Sequence, residues 1–102
     1  MSQSTPGTRE TTITRVIPDL APPRRFRVLM HNDDYTTMDF VVSVLESVFH
    51  KPSAEAERIM RQVHKNGIGI CGVYTAEVAE TKVASVHTRA RDFGFPLKCT
   101  ME

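Results

Sequence analysis

Apolar and polar positions divide this chain into six stretches, three with the character of strands and three with the spacing of helices. Runs rich in β-branched and bulky apolar side chains at about residues 26–30, 68–74 and 97–101 predict the strands. The helical stretches lie between them, which gives the order β-α-α-β-α-β. So few strands separated by helices predict a small α/β (α+β) sandwich, in which three helices pack on one three-stranded sheet.

The helices are recognised by apolar residues that recur three and four positions apart. The first is predicted at about residues 38–49, the second after a cap at Ser53 and the third after a cap at Thr75. Gly67 and Gly94 supply left-handed stops for the second and third helices. The stripes predicted to face the core are Val41, Val44, Leu45 and Val48, then Ala56, Ile59, Met60 and Val63, then Ala79, Val83, Val86, Ala90 and Phe93.

A tail and one domain account for the 102 residues. Residues 1–23 are rich in Ser and Thr, contain four prolines and show no sustained period, which predicts a disordered tail. Residues 24–102 carry all of the predicted strands and helices and form the domain. One small hydrophobic core is therefore expected.

Composition and charge exclude several classes of partner. The hydrophobic content of 40%, the charged content of 25% and the net charge of +1 are ordinary, so neither nucleic acid nor a membrane surface is expected as a partner. No apolar run approaches the roughly 20 residues of a membrane-spanning helix, and residues 1–25 lack a signal-peptide core, which predicts a cytoplasmic protein. Cys71 and Cys99 lack CxxC spacing and are predicted to be reduced and buried.

The polar segment at residues 31–38 follows the first strand and leads directly into the first helix. It contains Asn32, Asp33 and Asp34, and then Thr36, a predicted helix cap with an acidic residue three positions later. Asn and Asp hydrogen-bond the nearby backbone in turns, so a turn followed by a cap explains these residues without a ligand. A binding site is the alternative, because two carboxylates and an amide meet at the start of a helix.

Two glycines, Gly69 and Gly72, interrupt the second strand. A phosphate-binding loop needs its glycines at the opening of a helix, so a nucleotide site is not predicted here. Glycine inside a strand instead indicates a bulge or the close approach of another part of the chain.

Several separate motifs resemble the ClpS family of protease adaptors, in the same order and at matching spacing. They are VLMHNDDYT at residues 28–36, MRQVH at 60–64, ICGVYT at 70–75, AEVAETKV at 76–83 and PLKCTME at 96–102. Members of that family recognise proteins that begin with Leu, Phe, Tyr or Trp. They deliver these proteins to a Clp AAA+ unfoldase and its peptidase, and do no chemistry themselves.

The resemblance implies that Asn32, Asp33 and His64 hold the α-amino group of the substrate. An ammonium group has three donors and a full charge, so an amide oxygen, a carboxylate and a neutral imidazole suit it as acceptors. Glu77 and Lys82 match the surface that docks on the N-terminal domain of the unfoldase. The side-chain pocket implied by the resemblance is lined by Asp34, Thr36, Met38, Val41, Met60, Val63 and Leu97.

Other interpretations of the same residues stay open. His64 is also compatible with an ordinary surface or core histidine, and Glu77 and Lys82 with a solvated face. An enzyme would use either cysteine as nucleophile with His64 or His31 as base, but neither cysteine has the helix N-terminus or basic cluster that lowers a thiol pKa. A metal site would use the two aspartates and His64, but they are too few for calcium or zinc. No cofactor, catalytic residue or metal is therefore expected.

Overall fold

The computed structural model describes residues 21–102. It contains three strands and three helices in the predicted β-α-α-β-α-β order, which confirms the fold class. The predicted tail lies outside the described residues except for residues 21–23, which precede the first strand. The elements are β1 (Arg25–His31), α1 (Met38–Ser47), α2 (Ser53–Asn66), β2 (Ile68–Thr75), α3 (Ala76–Phe93) and β3 (Lys98–Met101).

The sheet is antiparallel throughout and has the order β2-β1-β3, so the first strand lies in the centre. Met30 of β1 pairs with Gly69 on one side and with Cys99 on the other. The β1–β2 register shifts after Val28, and the extra residue on β2 is Cys71. The glycine-interrupted strand therefore contains a bulge, as its sequence indicated.

The core lies where the helices cover the sheet. The predicted stripe of α1 is buried, as are Ala56, Ile59 and Val63 of α2. Burial of each large apolar side chain contributes roughly 1.5–3 kcal/mol. Phe93 was wrongly assigned to the core, because it lies in the last turn of α3 and is 66% exposed, with its ring 5.2 Å from that of Phe40.

The cap of α1 differs from the prediction by one residue. Thr37 is the N-cap, and its hydroxyl accepts a hydrogen bond of 3.1 Å from the backbone N–H of Phe40. Thr36 instead donates its hydroxyl hydrogen to Asp33. The sequence favoured Thr36 because Asp39 follows it three positions later, but the Asp33 carboxylate engages the Thr36 hydroxyl and the cap is Thr37.

The starts of the other two helices agree only in part with the predicted caps. Pro52, not Ser53, is the N-cap of α2, and the Ser53 hydroxyl donates to Glu46 at 3.1 Å. Thr75 is the N-cap of α3, but its side chain makes no capping hydrogen bond. Backbone geometry and neighbouring elements, which the local sequence does not encode, set these contacts.

The helix ends follow the predicted stops more closely. Gly67 and Gly94 end α2 and α3 with φ of 85° and 78°, a left-handed conformation that glycine adopts without steric cost. The first helix ends at Ser47, two residues before the predicted end. The third predicted strand begins at Lys98, one residue late.

Lys82 of α3 ties the end of α1 to the rest of the domain. Its ammonium donates a 2.7 Å hydrogen bond to the backbone carbonyl of Val48, the C-cap of α1. It also lies 5.8 Å and 5.3 Å from the ring centroids of Phe49 and Tyr74. The last turn of α1 has no basic residue of its own. Lys82 thus supplies the cation that a helix C-terminus favours.

Within the part of the chain that the structure describes, no helix has the length and hydropathy required to cross a bilayer.

Candidate functional site

A cavity of about 230 Å³ opens where the β1–α1 turn, the start of α1 and the second half of α2 meet. Its lining is mixed, and we call the polar residues its polar side and the apolar residues its apolar side. The polar lining residues are Asn32, Asp33, Asp34, Thr36 and His64, and the apolar ones are Met38, Val41, Met60 and Val63.

The turn that forms the polar side is organised by the Asp33 carboxylate. Oδ1 accepts hydrogen bonds from the backbone N–H groups of Tyr35 at 2.8 Å and Thr36 at 2.7 Å, and Oδ2 accepts from the Thr36 hydroxyl at 2.7 Å. A carboxylate offers about four acceptor positions, so one position on Oδ2 remains for a ligand. The three donors also fix the direction in which that position points.

The same contacts keep Asp33 ionised. Partial burial opposes the charge, but the hydrogen bonds from Thr36 and Tyr35 outweigh it and hold the pKa of the Asp33 carboxyl below its ordinary value. The cavity therefore presents a carboxylate at neutral pH, which suits a cationic ligand.

A backbone contact joins the turn to the end of α2. The Asn32 N–H donates to the carbonyl of Gly67 at 2.9 Å, and the Gly67 N–H donates to the carbonyl of Val63 at 2.9 Å. His64, in the last turn of α2, is thereby held on the same side as the Asn32 and Asp33 side chains. Residues that are more than 30 positions apart in the sequence thus share one cavity.

The apolar side combines rigid and adaptable side chains. Val41 and Val63 are buried members of the core, so their positions are fixed by packing. Met60 is only partly buried and Met38, the first residue of α1, is 47% exposed. Because a thioether chain adapts its shape easily, these two methionines can fit around apolar groups of different shape.

No cation within residues 21–102 neutralises the acidic residues of the cavity, because the ion pairs there involve neither Asp33 nor Asp34. The same residues contain no group of three or more His, Cys, Asp or Glu side chains arranged to hold a metal ion. The lining of this cavity can accommodate a positive group beside an apolar one.

Nine of the ten residues predicted to contact the substrate line this cavity, and Leu97 does not. Leu97 precedes β3 and is 4% exposed, because it packs in the hydrophobic core. Its predicted place in the pocket wall stays a prediction, since Val41 and Val63 belong to the same core and yet line the cavity. The binding roles of the other nine remain predictions.

The predicted docking residues lie on a separate shallow groove along α3. This groove is lined by Glu77, Val78, Thr81 and Lys82. Sequence reasoning missed Val78, which is 42% exposed. The sequence contained a signal for this exposed apolar residue, since Val78 lies outside the core stripe of α3.

The two cysteines are free and buried, as predicted. A hydrogen bond with the Cys99 thiol and burial both raise the pKa of the Cys71 thiol. A neutral thiol is a poor nucleophile, so Cys71 does not suit the nucleophile role of the cysteine-enzyme alternative.

The fold is that of a small α/β protein, and its cavity combines an ionised carboxylate with an apolar lining. A family model described as ATP-dependent Clp protease adaptor protein ClpS matches residues 21–100. The chain belongs to this family of Clp protease adaptors.

Close relatives support the assignment over the whole chain. The ATP-dependent Clp protease adapter protein ClpS of Oleidesulfovibrio alaskensis is 61% identical over 102 residues, covering 100% of this chain and 98% of the relative. That of Nitratidesulfovibrio vulgaris (strain DSM 19637 / Miyazaki F) is 66% identical over 84 residues, covering 82% and 84%. The structure of Agrobacterium tumefaciens ClpS2 bound to L-phenylalaninamide matches with a TM-score of 0.77 at 34% identity, covering 79% of this chain and 98% of that one.

The lowered pKa of Asp33 predicts a pH-dependent contribution to stability. A carboxyl group whose folded pKa lies below its unfolded value stabilises the fold above the unfolded pKa, and this stabilisation is lost as the pH falls through the folded pKa. Asp33→Asn should therefore be less stable than the wild type near pH 7. The difference should shrink from about pH 5 downward.

Urea unfolding at a series of pH values measures this difference. The adjacent, exposed carboxylate provides the matched control, Asp34→Asn. A stability difference for Asp33→Asn that stays constant down to about pH 3 would contradict the assigned role of the three hydrogen bonds.

Proposed function

We propose that this adaptor binds proteins whose first residue is bulky and hydrophobic, Leu, Phe, Tyr or Trp, through the free α-amino group and the side chain. The observation that carries the proposal is the cavity, which joins unneutralised acceptors to an apolar wall. The acceptors and the apolar wall together select the first residue of a protein, because only that residue carries an α-ammonium group beside its side chain.

The polar side suits the α-amino group in number and kind of acceptors. The remaining position on Asp33 Oδ2, the Asn32 amide oxygen and a neutral His64 nitrogen would match the three N–H donors of an ammonium. Such charge-assisted hydrogen bonds are short and strong, and the fixed Asp33 carboxylate needs little reorganisation to make them.

The apolar side suits a large side chain without demanding one shape. Val41 and Val63 would form the fixed floor, while Met38 and Met60 adapt. L-phenylalaninamide, the ligand of Agrobacterium tumefaciens ClpS2, has a free α-amino group and a phenyl side chain. Its chemistry supports the same pairing in this chain.

Delivery would follow from docking of the N-terminal domain of a Clp AAA+ unfoldase on the α3 groove, with residues 1–23 as a segment for the unfoldase to engage. Glu77 and Val78 are exposed and available for direct contact. The ammonium of Lys82 is already engaged by the Val48 carbonyl, so Lys82 would act on docking largely by holding the helix in place. The adaptor is proposed to be non-catalytic and cytoplasmic.

The first test uses fluorescent peptides that differ only at the N-terminus. A peptide that begins with Phe or Leu should bind, and its N-acetylated twin or one that begins with Ser should not. Asp33→Ala and His64→Ala should each weaken binding by about 1.5–3 kcal/mol, the range for hydrogen bonds to charged groups. Fluorescence anisotropy measures each affinity.

The matched control for that test is Asp39→Ala, which removes an exposed carboxylate of α1 outside the cavity. It should bind like the wild type. Equal binding of acetylated and free peptides would refute the proposed function.

Met38 at the mouth of the cavity predicts selection against β-branched first residues. A branch at Cβ would crowd the Met38 side chain, and overpacking typically costs about 1–3 kcal/mol. Met38→Ala should admit peptides that begin with Ile or Val and lose little affinity for Phe. The measurement is the ratio of Leu-peptide to Ile-peptide affinity in both proteins, and an unchanged ratio would assign the selectivity to another residue.

The α3 groove predicts that its charged residues act differently. Glu77→Ala should lower the affinity for the unfoldase N-terminal domain. It should lower the free energy of unfolding by only about 0.3–1 kcal/mol, the usual contribution of an acidic residue in the first turn of a helix. Lys82→Met removes a hydrogen bond from a charged group and should lower the free energy of unfolding by about 1.5 kcal/mol, with a smaller loss of docking. Calorimetry and urea unfolding measure the two effects, and Lys98→Met serves as an exposed control. Unaltered stability of Lys82→Met would contradict its structural role.

A further inference from the structure

Gly69 lies where β2 passes closest to α2. A Cβ built on Gly69 would lie 2.6 Å from Val63 Cγ2 and 3.4 Å from both Gln62 Oε1 and the Ile59 carbonyl oxygen. Its φ is not in the positive region, so backbone conformation does not require glycine here. The close approach of α2 requires glycine instead, because any side chain at residue 69 would collide with α2.

Val63 would be displaced most, because its Cγ2 is the nearest atom to the added Cβ. Valine on a helix strongly prefers one rotamer, so its methyl group cannot rotate away at low cost. Val63 is 3% exposed, and most of its surroundings are close-packed core. The empty space that it contacts is the binding cavity, which it lines. A side chain at residue 69 would therefore displace Val63 toward the cavity.

We propose that Gly69 is a positioning residue that sets the depth of the cavity through Val63 and so determines the largest first residue that fits. Gly69 itself is not among the residues that line the cavity. Its missing Cβ acts by letting α2 lie against β2. The inference rests on the proposed function, because it concerns the size of the apolar side chain that the same site accepts.

Gly72 offers a matched control on the same strand. A Cβ at Gly72 would collide with the ring of Tyr74. Tyr74 does not line the cavity, and it packs against Phe49 and Lys82 instead. Gly72→Ala therefore introduces the same atom with a comparable steric conflict, but away from the site.

The experiment compares wild type, Gly69→Ala, Gly72→Ala, Val63→Ala and the double variant Gly69→Ala with Val63→Ala. Affinities are measured for peptides that begin with Trp, Phe and Leu. Gly69→Ala should lower the Trp-over-Leu affinity ratio by about tenfold. Overpacking typically costs about 1–3 kcal/mol, and about 1.4 kcal/mol corresponds to a tenfold change in affinity. The affinity for the Phe peptide should fall by a factor between those for the Trp and the Leu peptides. Gly72→Ala should keep the wild-type ratio, even if it unfolds more easily.

The ratio separates positioning from simple destabilisation, because a smaller folded fraction lowers all three affinities equally. Val63→Ala should raise the Trp-over-Leu ratio. The double variant should return it toward the wild-type value, because the methyl group added at residue 69 refills the space that Val63 Cγ2 leaves. If Gly69→Ala alone does not fold, this comparison carries the test. A double variant with the same ratio as Val63→Ala would overturn the inference.

The outcomes also separate this inference from the proposed function. Wild-type protein that binds none of the three free peptides would refute the proposed function and the inference together. Wild-type protein that binds them, with a Trp-over-Leu ratio unchanged in Gly69→Ala, would refute the role of Gly69 alone.

Discussion

The Asp33 carboxylate organises the site more than any other group. It accepts three hydrogen bonds from Tyr35 and Thr36, and in doing so it shapes the turn that delivers the chain from β1 to α1. The same contacts lower its pKa, so the group that shapes the turn is also the charge that the cavity presents. The turn leaves one acceptor position of this side chain free for a ligand, because an ionised carboxylate has more acceptor positions than the turn uses.

The other half of the site depends on how closely α2 approaches the sheet. Gly69 allows that approach, because it has no Cβ to collide with α2. Gly67 ends the helix, and the Gly67 carbonyl accepts a hydrogen bond from the Asn32 N–H. Between them, these contacts fix Val63 and His64 relative to the β1–α1 turn. The cavity therefore has one rigid polar side and one partly adaptable apolar side. This combination suits the proposed binding of an ammonium group together with apolar side chains of different shape.

The connection between α1 and α2 links the cavity to the α3 groove. Both helices that line the cavity meet at this connection, and Lys82 of α3 holds it through the Val48 carbonyl. A substitution of Lys82 can therefore alter the adaptor without removing a contact with a partner. The Glu77 carboxylate, which is exposed on the same groove, takes part in none of the ion pairs of residues 21–102, and only the backbone carbonyl of Glu77 accepts a hydrogen bond from a side chain, the Thr81 hydroxyl.

The order of the elements and most of the core stripes were predictable from the sequence, because apolar periodicity and glycine stops are local signals. The resemblance carried by the motifs also identified nine of the residues around the cavity. Tertiary contacts decided the rest. Thr37 caps α1 while Asp33 engages its neighbour Thr36, and Leu97 packs in the core next to β3. The role of Lys82 and the need for glycine at residue 69 arise where segments distant in sequence meet, and such distances follow from packing, not from local pattern.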